Sequence, residues 1–338
     1  MKPEIKRKNL KKPAGLINLE PVTKKQKWKG DKNMKLTNLT LIRRGSAKDI
    51  YRVDKTDIAF RFTKWFSVFD VGRASYGIPG KDRAMCACAV KSFRIAAEIG
   101  IPTHFVEQID DVTIRVKEAQ IITNRHMTAK DENYVIPAEH IYRLNNAGSI
   151  DRDFRSGKKK PEDYGLPAGV IPAVGTPFPY PIHMFTTKFE KIDRDLSDEE
   201  MLAMAGITPE DRDQYWSMID RLIGACSLAM ARVGYALLDG KCEPIMGPGR
   251  KKMIGDVFCT PDEDRPVPLD KLRYGIVEHH SKEFIRQELI KIGYKRQLDE
   301  ARLAGKPDPP IPLLPEETIA EIGWRYKTVA EAYAGVIL

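Results

Sequence analysis

The stretch Leu238-Asp239-Gly240-Lys241-Cys242-Glu243, answered by Ile254-Gly255-Asp256, decides how this chain is read. Leu237-Leu238 ends an apolar run of strand type. Asp239, Lys241 and Glu243 then alternate with Gly240 and Cys242. At the period of a strand, this sets two acids and a lysine on one face. Pro244, Gly247, Pro248 and Gly249 mark a turn that can return the chain antiparallel and bring Asp256 beside Glu243. Two carboxylates and an ammonium at a strand end can hold Mg²⁺ against phosphates. A hard cation takes oxygen ligands, and a lysine steadies phosphate charge. A charged hairpin that simply faces water is the plainer alternative, and these residues alone leave both open.

Outward from this stretch, the chain has 338 residues and is 42% hydrophobic, enough to bury a large core and to suggest two domains. No apolar run is long enough to span a bilayer. Met1 is followed by a lysine-rich stretch, so no signal peptide is expected. The five cysteines (Cys86, Cys88, Cys226, Cys242, Cys259) are scattered and form no Cys-x-x-Cys pair. Reduced thiols in a cytoplasm fit them better than a disulfide framework or a zinc site.

The net charge of +9 sits in the tail. Residues 1–35 hold twelve lysines and arginines against Glu4, Glu20 and Asp31, which is the whole excess. A basic arm can bind nucleic acid by counterion release. No aromatic-studded basic surface follows it, which favours a disordered, solubilising extension instead.

Residues 36–135 read as β-rich. Strand-like runs cover 36–43, 49–53, 58–62 and 112–116, with Gly45-Ser46-Ala47-Lys48 as a hairpin turn between the first two. A glycine turn followed by a lysine can lay backbone N–H groups and a cation over phosphates, although Gly-x-x-Lys by itself is an ordinary hairpin. One helix is expected over 84–99, stopped by Gly100 with Pro102 behind it. From 136 onward helices and strands mix. A Lys-, Gly- and Pro-rich irregular stretch is expected over 155–181. Ser197 and Glu200 form a capping-box pattern, and Thr208-Pro209 opens another helix. Residues 217–233 are helical, with Ile219, Leu222, Ile223, Cys226, Met230 and Val233 on one face and Gly234 as the stop. Two helices close the chain, over 281–292 and 316–334, with the Pro-rich link 306–315 between them.

Taken in order, several motifs carry a resemblance. They are Gly45-Ser46-Ala47-Lys48-Asp49-Ile50-Tyr51, Ser67-Val68-Phe69-Asp70, Ile78-Pro79-Gly80-Lys81 and Gly100-Ile101-Pro102-Thr103-His104-Phe105. Val135-Ile136-Pro137-Ala138-Glu139, Arg143 with Gly148-Ser149, and Thr187-Lys188 with Glu190 and Asp195 follow. The central hairpin, Pro261-Asp262 with Arg265, and Ser281-Lys282-Glu283-Phe284-Ile285-Arg286 complete the series. This order resembles the SAICAR synthetase family, ligases that use ATP to join L-aspartate to the carboxylate of an aminoimidazole ribonucleotide (CAIR).

The resemblance implies an α+β, two-lobed fold. A β-rich ATP-binding lobe would span 36–135 and a larger α/β lobe for substrate and metal 136–338, with the nucleotide in the cleft between. It also implies ATP and Mg²⁺ as cofactors. Glu243 and Asp256 would be the metal ligands, and Gly45, Ser46, Lys48, Glu139 and Lys188 would contact ATP. Arg143, Gly148 and Ser149 would bind the ribonucleotide, with Asp262 and Arg265 nearby. Asp239, Lys241 and Asp195 would form the central catalytic set. Small-molecule substrates and no membrane partner follow from the same resemblance, and homo-oligomerisation is left open.

The chain also departs from the family pattern. Ser46 stands where lysine is usual, Lys64 where aspartate is usual, Asp82 in place of a glycine, and Arg194 in place of a histidine. A charged hydrogen bond is worth about 1.5–3 kcal/mol, so Ser46 bears directly on ATP affinity. Three functions are therefore compared: the purine-pathway ligase, a paralogous ligase on another nucleotide carboxylate or amine, and a non-catalytic nucleotide-binding protein.

Overall fold

The structure is a computed structural model that describes residues 39–190 and 193–338. The basic tail at 1–35 lies outside the described residues.

The first sheet is built from local hairpins. β1 (Thr40–Arg44) and β2 (Lys48–Arg52) pair antiparallel across the glycine turn, and β3 (Asp57–Phe62) adds to β2. A Cβ at Gly45 would collide with the Lys48 carbonyl oxygen, so this tight turn needs glycine. Helix α1 (Lys81–Glu98) starts from left-handed Gly80, almost a turn earlier than expected, and Gly100 (φ 71°) follows its end. β4 (Phe105–Asp110) and β5 (Thr113–Lys117) complete an antiparallel sheet of order β1-β2-β3-β5-β4.

The second sheet collects strands from far apart in the chain. β6 (Tyr134–Val135) and β7 (Ala138–Asn145) precede α2 (Ser149–Arg155), and β8 (Pro177–Thr187) and β9 (Asp195–Leu196) follow it. Helices α3 (Asp198–Ala205) and α4 (Pro209–Ala231) lead to β10 (Tyr235–Leu237) and β11 (Asp239–Met246). β12 (Lys252–Gly255) returns antiparallel to β11. The sheet order is β12-β11-β7-β8-β9, with β6 also on β11. β13 (Pro266–Pro268) pairs with β10, and α5 (Leu269–Leu272), α6 (Lys282–Lys291), α7 (Tyr294–Leu303) and α8 (Glu316–Ala334) end the chain.

Several expectations change in detail. The segment from Pro209 to Ala231 is one helix; Val233 lies beyond it and is exposed. The reciprocal capping box closes at Thr208–Asp211 (3.2 and 3.1 Å). At Ser197 only half of a box forms, because the Glu200 carboxylate turns to Arg194. The run expected as one strand breaks at Leu238 into β10 and β11. β8 begins at Pro177, inside the stretch expected to be irregular, where alternating prolines mask the strand pattern. Helix α7, dense in charge, was not expected at all.

The two sheets share one continuous apolar cluster. α1 packs against α8 and α4 within it, and it includes Phe93, Ile114, Cys226 and Tyr326. The Ile254 N–H reaches the Pro102 carbonyl at 3.0 Å, and the His104 N–H reaches the Ile254 carbonyl at 3.3 Å. This anchors the segment leading into β4 to β12, directly beside Asp256.

Candidate active site

β11 is the axis of the site. It lies between β7 and β12, with Asp239 opposite Arg143 and Glu243 opposite Gly255. The strand period therefore carries Asp239, Lys241 and Glu243 along one face, and the return strand sets Asp256 next to Glu243's partner. At Gly240, a Cβ would overlap the Asp264 carboxyl and the Tyr142 hydroxyl, which are hydrogen-bonded to each other. Burial pushes the Asp264 carboxyl well above the usual carboxylate range.

Along this face runs a cleft of about 760 Å³. The β1–β2 turn contributes Ser46 and Ala47, and the segment before α1 contributes Ser67, Phe69 and Asp70. β7 and β11 supply Glu139, Arg143, Asp239 and Lys241, and the loop after β12 supplies Asp262, Glu263 and Arg265. α6 and α7 add Lys282, Glu283, Arg286 and Lys295.

One end is an arginine cradle. The buried Asp239 carboxylate accepts from Arg143 Nη1 at 2.9 Å and from Arg265 Nη1 at 2.6 and 2.7 Å. Arg143 Nη2 donates to Ser149 Oγ at 2.7 Å. Arg265 also reaches Glu283 Oε2 at 3.1 and 3.3 Å, and Glu283 accepts from Arg286 at 3.2 Å. Left-handed Gly148 (φ 64°) has no side chain to crowd the Arg265 guanidinium, which a Cβ there would approach to 3.1 Å. Burial opposes the charge on Arg265, but Asp239 and Glu283 outweigh it and hold it firmly protonated. Planar guanidinium forks fixed in this way suit a phosphate or carboxylate.

The centre and the other end are built from lysine–carboxylate pairs. Lys241 Nζ donates to Glu139 Oε1 at 2.6 Å and lies 3.1 Å from Glu263 Oε2. Burial would lower its pKa, but Glu263, Glu139 and Glu243 together raise it well above the ordinary lysine value. Lys188 pairs with Glu243 and lies 3.9 Å from Glu139. Lys48 pairs with Asp256 and is lowered to about 8, by burial first, with Glu243 and Glu263 pulling the other way. His104 Nε2 sits 3.0 Å from the Asp256 carbonyl oxygen, and Asp256 itself is left-handed (φ 48°).

The expected site residues separate into three groups. Ser46, Glu139, Arg143, Ser149, Asp239, Lys241, Asp262 and Arg265 line the cleft. Lys188 connects Glu243 to the cleft-lining Glu139, Lys48 and Asp256 pair with each other outside its lining, and Gly45 and Gly148 shape backbone. Asp195 stands apart from these. It is drawn to Lys159 (3.6 Å) and Lys158 (3.8 Å) and does not line the cleft, whereas Asp193, two residues earlier and also exposed, does. Asp262 sits in the wall, but both its oxygens are engaged: Lys81 donates at 2.6 Å and Tyr326 at 2.7 Å.

Glu263, Lys282, Glu283, Arg286, Lys295 and Asp193 were missing from the sequence-derived set. The Ser281–Arg286 motif marked three of them, but charge spacing on a helix gives no sign of a cleft across from it. The departures are mostly peripheral. Lys64 lies over the Trp65 ring at 5.2 Å, and Arg194 pairs with Glu190 and Glu200; neither lines the cleft. Ser46 does.

Among the described residues, no group of three or more His, Cys, Asp or Glu side chains is arranged to hold a metal by itself. No described helix is long and apolar enough to cross a membrane.

The family model for SAICAR synthetase matches residues 41–301. The phosphoribosylaminoimidazole-succinocarboxamide synthase of Thermoplasma acidophilum is 35% identical over 297 residues, covering 88% of this chain and 99% of its own. Among solved structures, the SAICAR synthase of Saccharomyces cerevisiae complexed with SAICAR aligns with a TM-score of 0.66 at 19% identity, over 90% of this chain and 98% of that one. A SAICAR synthetase in complex with ADP aligns with a TM-score of 0.61 at 18% identity, over 88% of this chain and 98% of that one. These two likenesses speak to the fold.

Proposed function

This chain belongs to the SAICAR synthetase family, and from that premise we propose that it is an ATP-dependent ligase joining the amine of L-aspartate to the carboxylate of CAIR. One observation carries the assignment to this cleft. The alternating residues Asp239, Lys241 and Glu243 join an arginine cradle at one end to a lysine–carboxylate cluster at the other. Such a face can seat a ribonucleotide phosphate and a nucleoside triphosphate along a single strand.

A carboxylate does not condense with an amine until its oxygen becomes a leaving group. In the proposed reaction, a carboxylate oxygen of CAIR attacks the γ-phosphorus of ATP, and the bond to the bridging oxygen breaks with its electron pair on ADP. The amine nitrogen, its ammonium having lost one proton to solvent, then attacks the acyl carbon, the C–O bond breaks with its electron pair on phosphate, and the nitrogen releases a second proton to solvent as the amide forms. The protein's part is positioning and charge, because phosphoryl transfer needs little else from side chains. Arg143, Arg265 and Ser149 hold the ribonucleotide phosphate. Lys241 is held charged in the centre, where the acyl phosphate would form. Lys48 and Lys188 can exchange their carboxylate partners for phosphate oxygens. The first sheet would then act as the ATP-side lobe.

The residues fit Mg²⁺. Glu243, on β11, and Asp256, just past the end of β12, are hard oxygen donors, and an ion that keeps few protein ligands takes the rest from substrate phosphates and water. When bound, Mg²⁺ offsets the negative charge of the phosphoryl groups. The deciding assay is ADP release on mixing ATP, CAIR and L-aspartate, paired with rescue of a purine auxotroph. ADP release with another amine or nucleotide carboxylate, but not this pair, would overturn the substrate assignment in favour of the paralogue.

A further inference from the structure

Phe69 and Asp70 are consecutive non-glycine residues with positive φ, 54° and 61°, and both line the cleft. A left-handed pair of this kind persists only where its surroundings hold it. Here the hold comes from α7. Arg302 Nη2 donates to the Phe69 carbonyl oxygen at 2.8 Å. The same guanidinium is fixed by Asp308, at 3.0 Å through Nε and 2.9 Å through Nη2. The Tyr294 ring lies 6.4 Å from the Phe69 ring, and the Lys295 ammonium 5.8 Å from its centre. The family match ends at residue 301, so Arg302 and Asp308 fall beyond it.

What the turn presents is a carboxylate that forms no ion pair among the described residues, although it lies within the field of the Arg302 guanidinium. Most other carboxylates of the site are neutralised: Glu139 and Glu263 share Lys241, Glu243 has Lys188, and Asp239 has two arginines. Among the described residues, Asp70 has no ion pair or side-chain hydrogen bond. A substrate ammonium entering this cleft therefore finds in Asp70 a carboxylate that it need not take from a lysine or arginine. Asp193, on the β8–β9 side, also lines the cleft and forms no ion pair among the described residues, and the field of Asp70 helps raise its pKa.

We propose that Arg302, braced by Asp308, is a positioning residue that holds the Phe69–Asp70 turn left-handed and so keeps the Asp70 carboxylate in the cleft for the ammonium of the amine donor. The inference deepens the ligase reading and rests on it.

The test is a double-mutant cycle on the full chain, with Asp70→Asn, Arg302→Ala, Arg302→Lys and Asp70→Asn/Arg302→Ala. L-Aspartate is the amine probe. Asp70→Asn should raise its KM at least tenfold and leave the KM values for ATP and CAIR within twofold. Arg302→Ala should do the same, the double variant should be no worse than Asp70→Asn, and Arg302→Lys should recover part of the loss. A second readout does not need turnover: hydrogen–deuterium exchange at the Val71 amide, which bonds back to the Val68 carbonyl at 3.1 Å, should speed up at least fivefold in Arg302→Ala with Tm little changed. Unchanged aspartate KM in Asp70→Asn, additive losses in the double variant, or unchanged exchange at Val71 would each overturn the proposal. A wild-type chain inert toward every amine would overturn the ligase reading and the amine role with it, while the exchange readout would still decide whether Arg302 holds the turn.

Discussion

Lys188 closes an ion pair on Glu243, joining the end of β8 to the middle of β11 at the level where β12 ends opposite it. The pair is largely buried on both sides. Burial works against Glu243's charge, but Lys188, Lys241 and Lys48 together hold its carboxyl below the usual range. The carboxylate proposed to meet a metal thus already has a competing cation, and the lysine proposed to meet a phosphate already has a competing anion.

Glu243→Gln should therefore have two effects. Turnover should fall at least 100-fold, mainly in kcat, because the lost charge matters most as phosphoryl charge develops. Stability should fall by about 1–3 kcal/mol, since Lys188 keeps only the more distant Glu139 as a partner. Steady-state kinetics and urea unfolding check the two separately. Full activity in Glu243→Gln would remove this residue from the site.

Lys48 gives a pH dependence. Its folded pKa of about 8 lies below the ordinary 10.5. Between those values the unfolded chain binds more protons, so this group makes stability rise with pH from about 8 to about 10.5. Phosphate contact needs the charged form, so the KM for ATP should climb above about pH 8. Lys48→Met should flatten both profiles. A KM for ATP that stays flat to pH 9.5 in the wild type would exclude Lys48 as a phosphate contact.

The alternation at Asp239, Lys241 and Glu243 was legible because strand period alone fixes which side chains share a face. The return of Asp256 was legible because the glycines and prolines after Pro244 leave the chain little else to do. The place of Lys282, Arg286 and Lys295 in the cleft was not, because a wall made by helices packed against a distant strand leaves no local pattern of the contact, even where a motif marks the residues. Spacing singled out Asp195 and not Asp193, because it cannot tell which acid of a short charged turn meets Lys158 and Lys159 and which lines the cleft. Helix α7 was hidden by its polarity: its buried face rests on little more than Tyr294 and Leu298.

Gly240→Ala tests the close packing between β11 and Asp264. The added Cβ would overlap the Asp264 carboxyl, which is fixed by Tyr142 and by the Thr260 N–H at 2.9 Å. Overpacking of this kind costs about 1–3 kcal/mol. Calorimetry should show a clear drop in Tm, and any folded protein should show weakened ribonucleotide binding as Asp239 shifts. An unchanged Tm would mean that Asp264 is free to move.

Ser46→Lys tests the departure from the family pattern that reaches the cleft. Ser46 lines it from the β1–β2 turn, two residues before Lys48. A second ammonium there should tighten ATP binding about tenfold if it gains one charged hydrogen bond of about 1.5 kcal/mol. Isothermal titration of a non-hydrolysable ATP analogue reads this directly. Weaker binding would show that Lys48 already holds the position and that a second cation only repels it.

Asp193 should set the acid limb of the reaction. Its carboxyl is raised from 3.8 to about 6, by burial first and then by Glu139 and Asp70. The folded chain keeps this proton longer than the unfolded one, so the group's contribution to stability is fully present below about pH 4 and is lost as pH rises through about 6. Catalysis runs the other way. An ammonium is attracted only by the ionised form, so kcat/KM for the amine donor should fall as pH drops below about 6. Asp193→Asn should remove that limb and lower the plateau at pH 7.5, while kcat/KM for ATP keeps its own profile. Asp195→Asn is the control: its carboxylate faces Lys158 and Lys159 outside the cleft, so its amine profile should match that of the wild type. If Asp195→Asn moves the limb and Asp193→Asn does not, the family alignment through Asp195 is the better guide and the inward orientation of Asp193 is wrong.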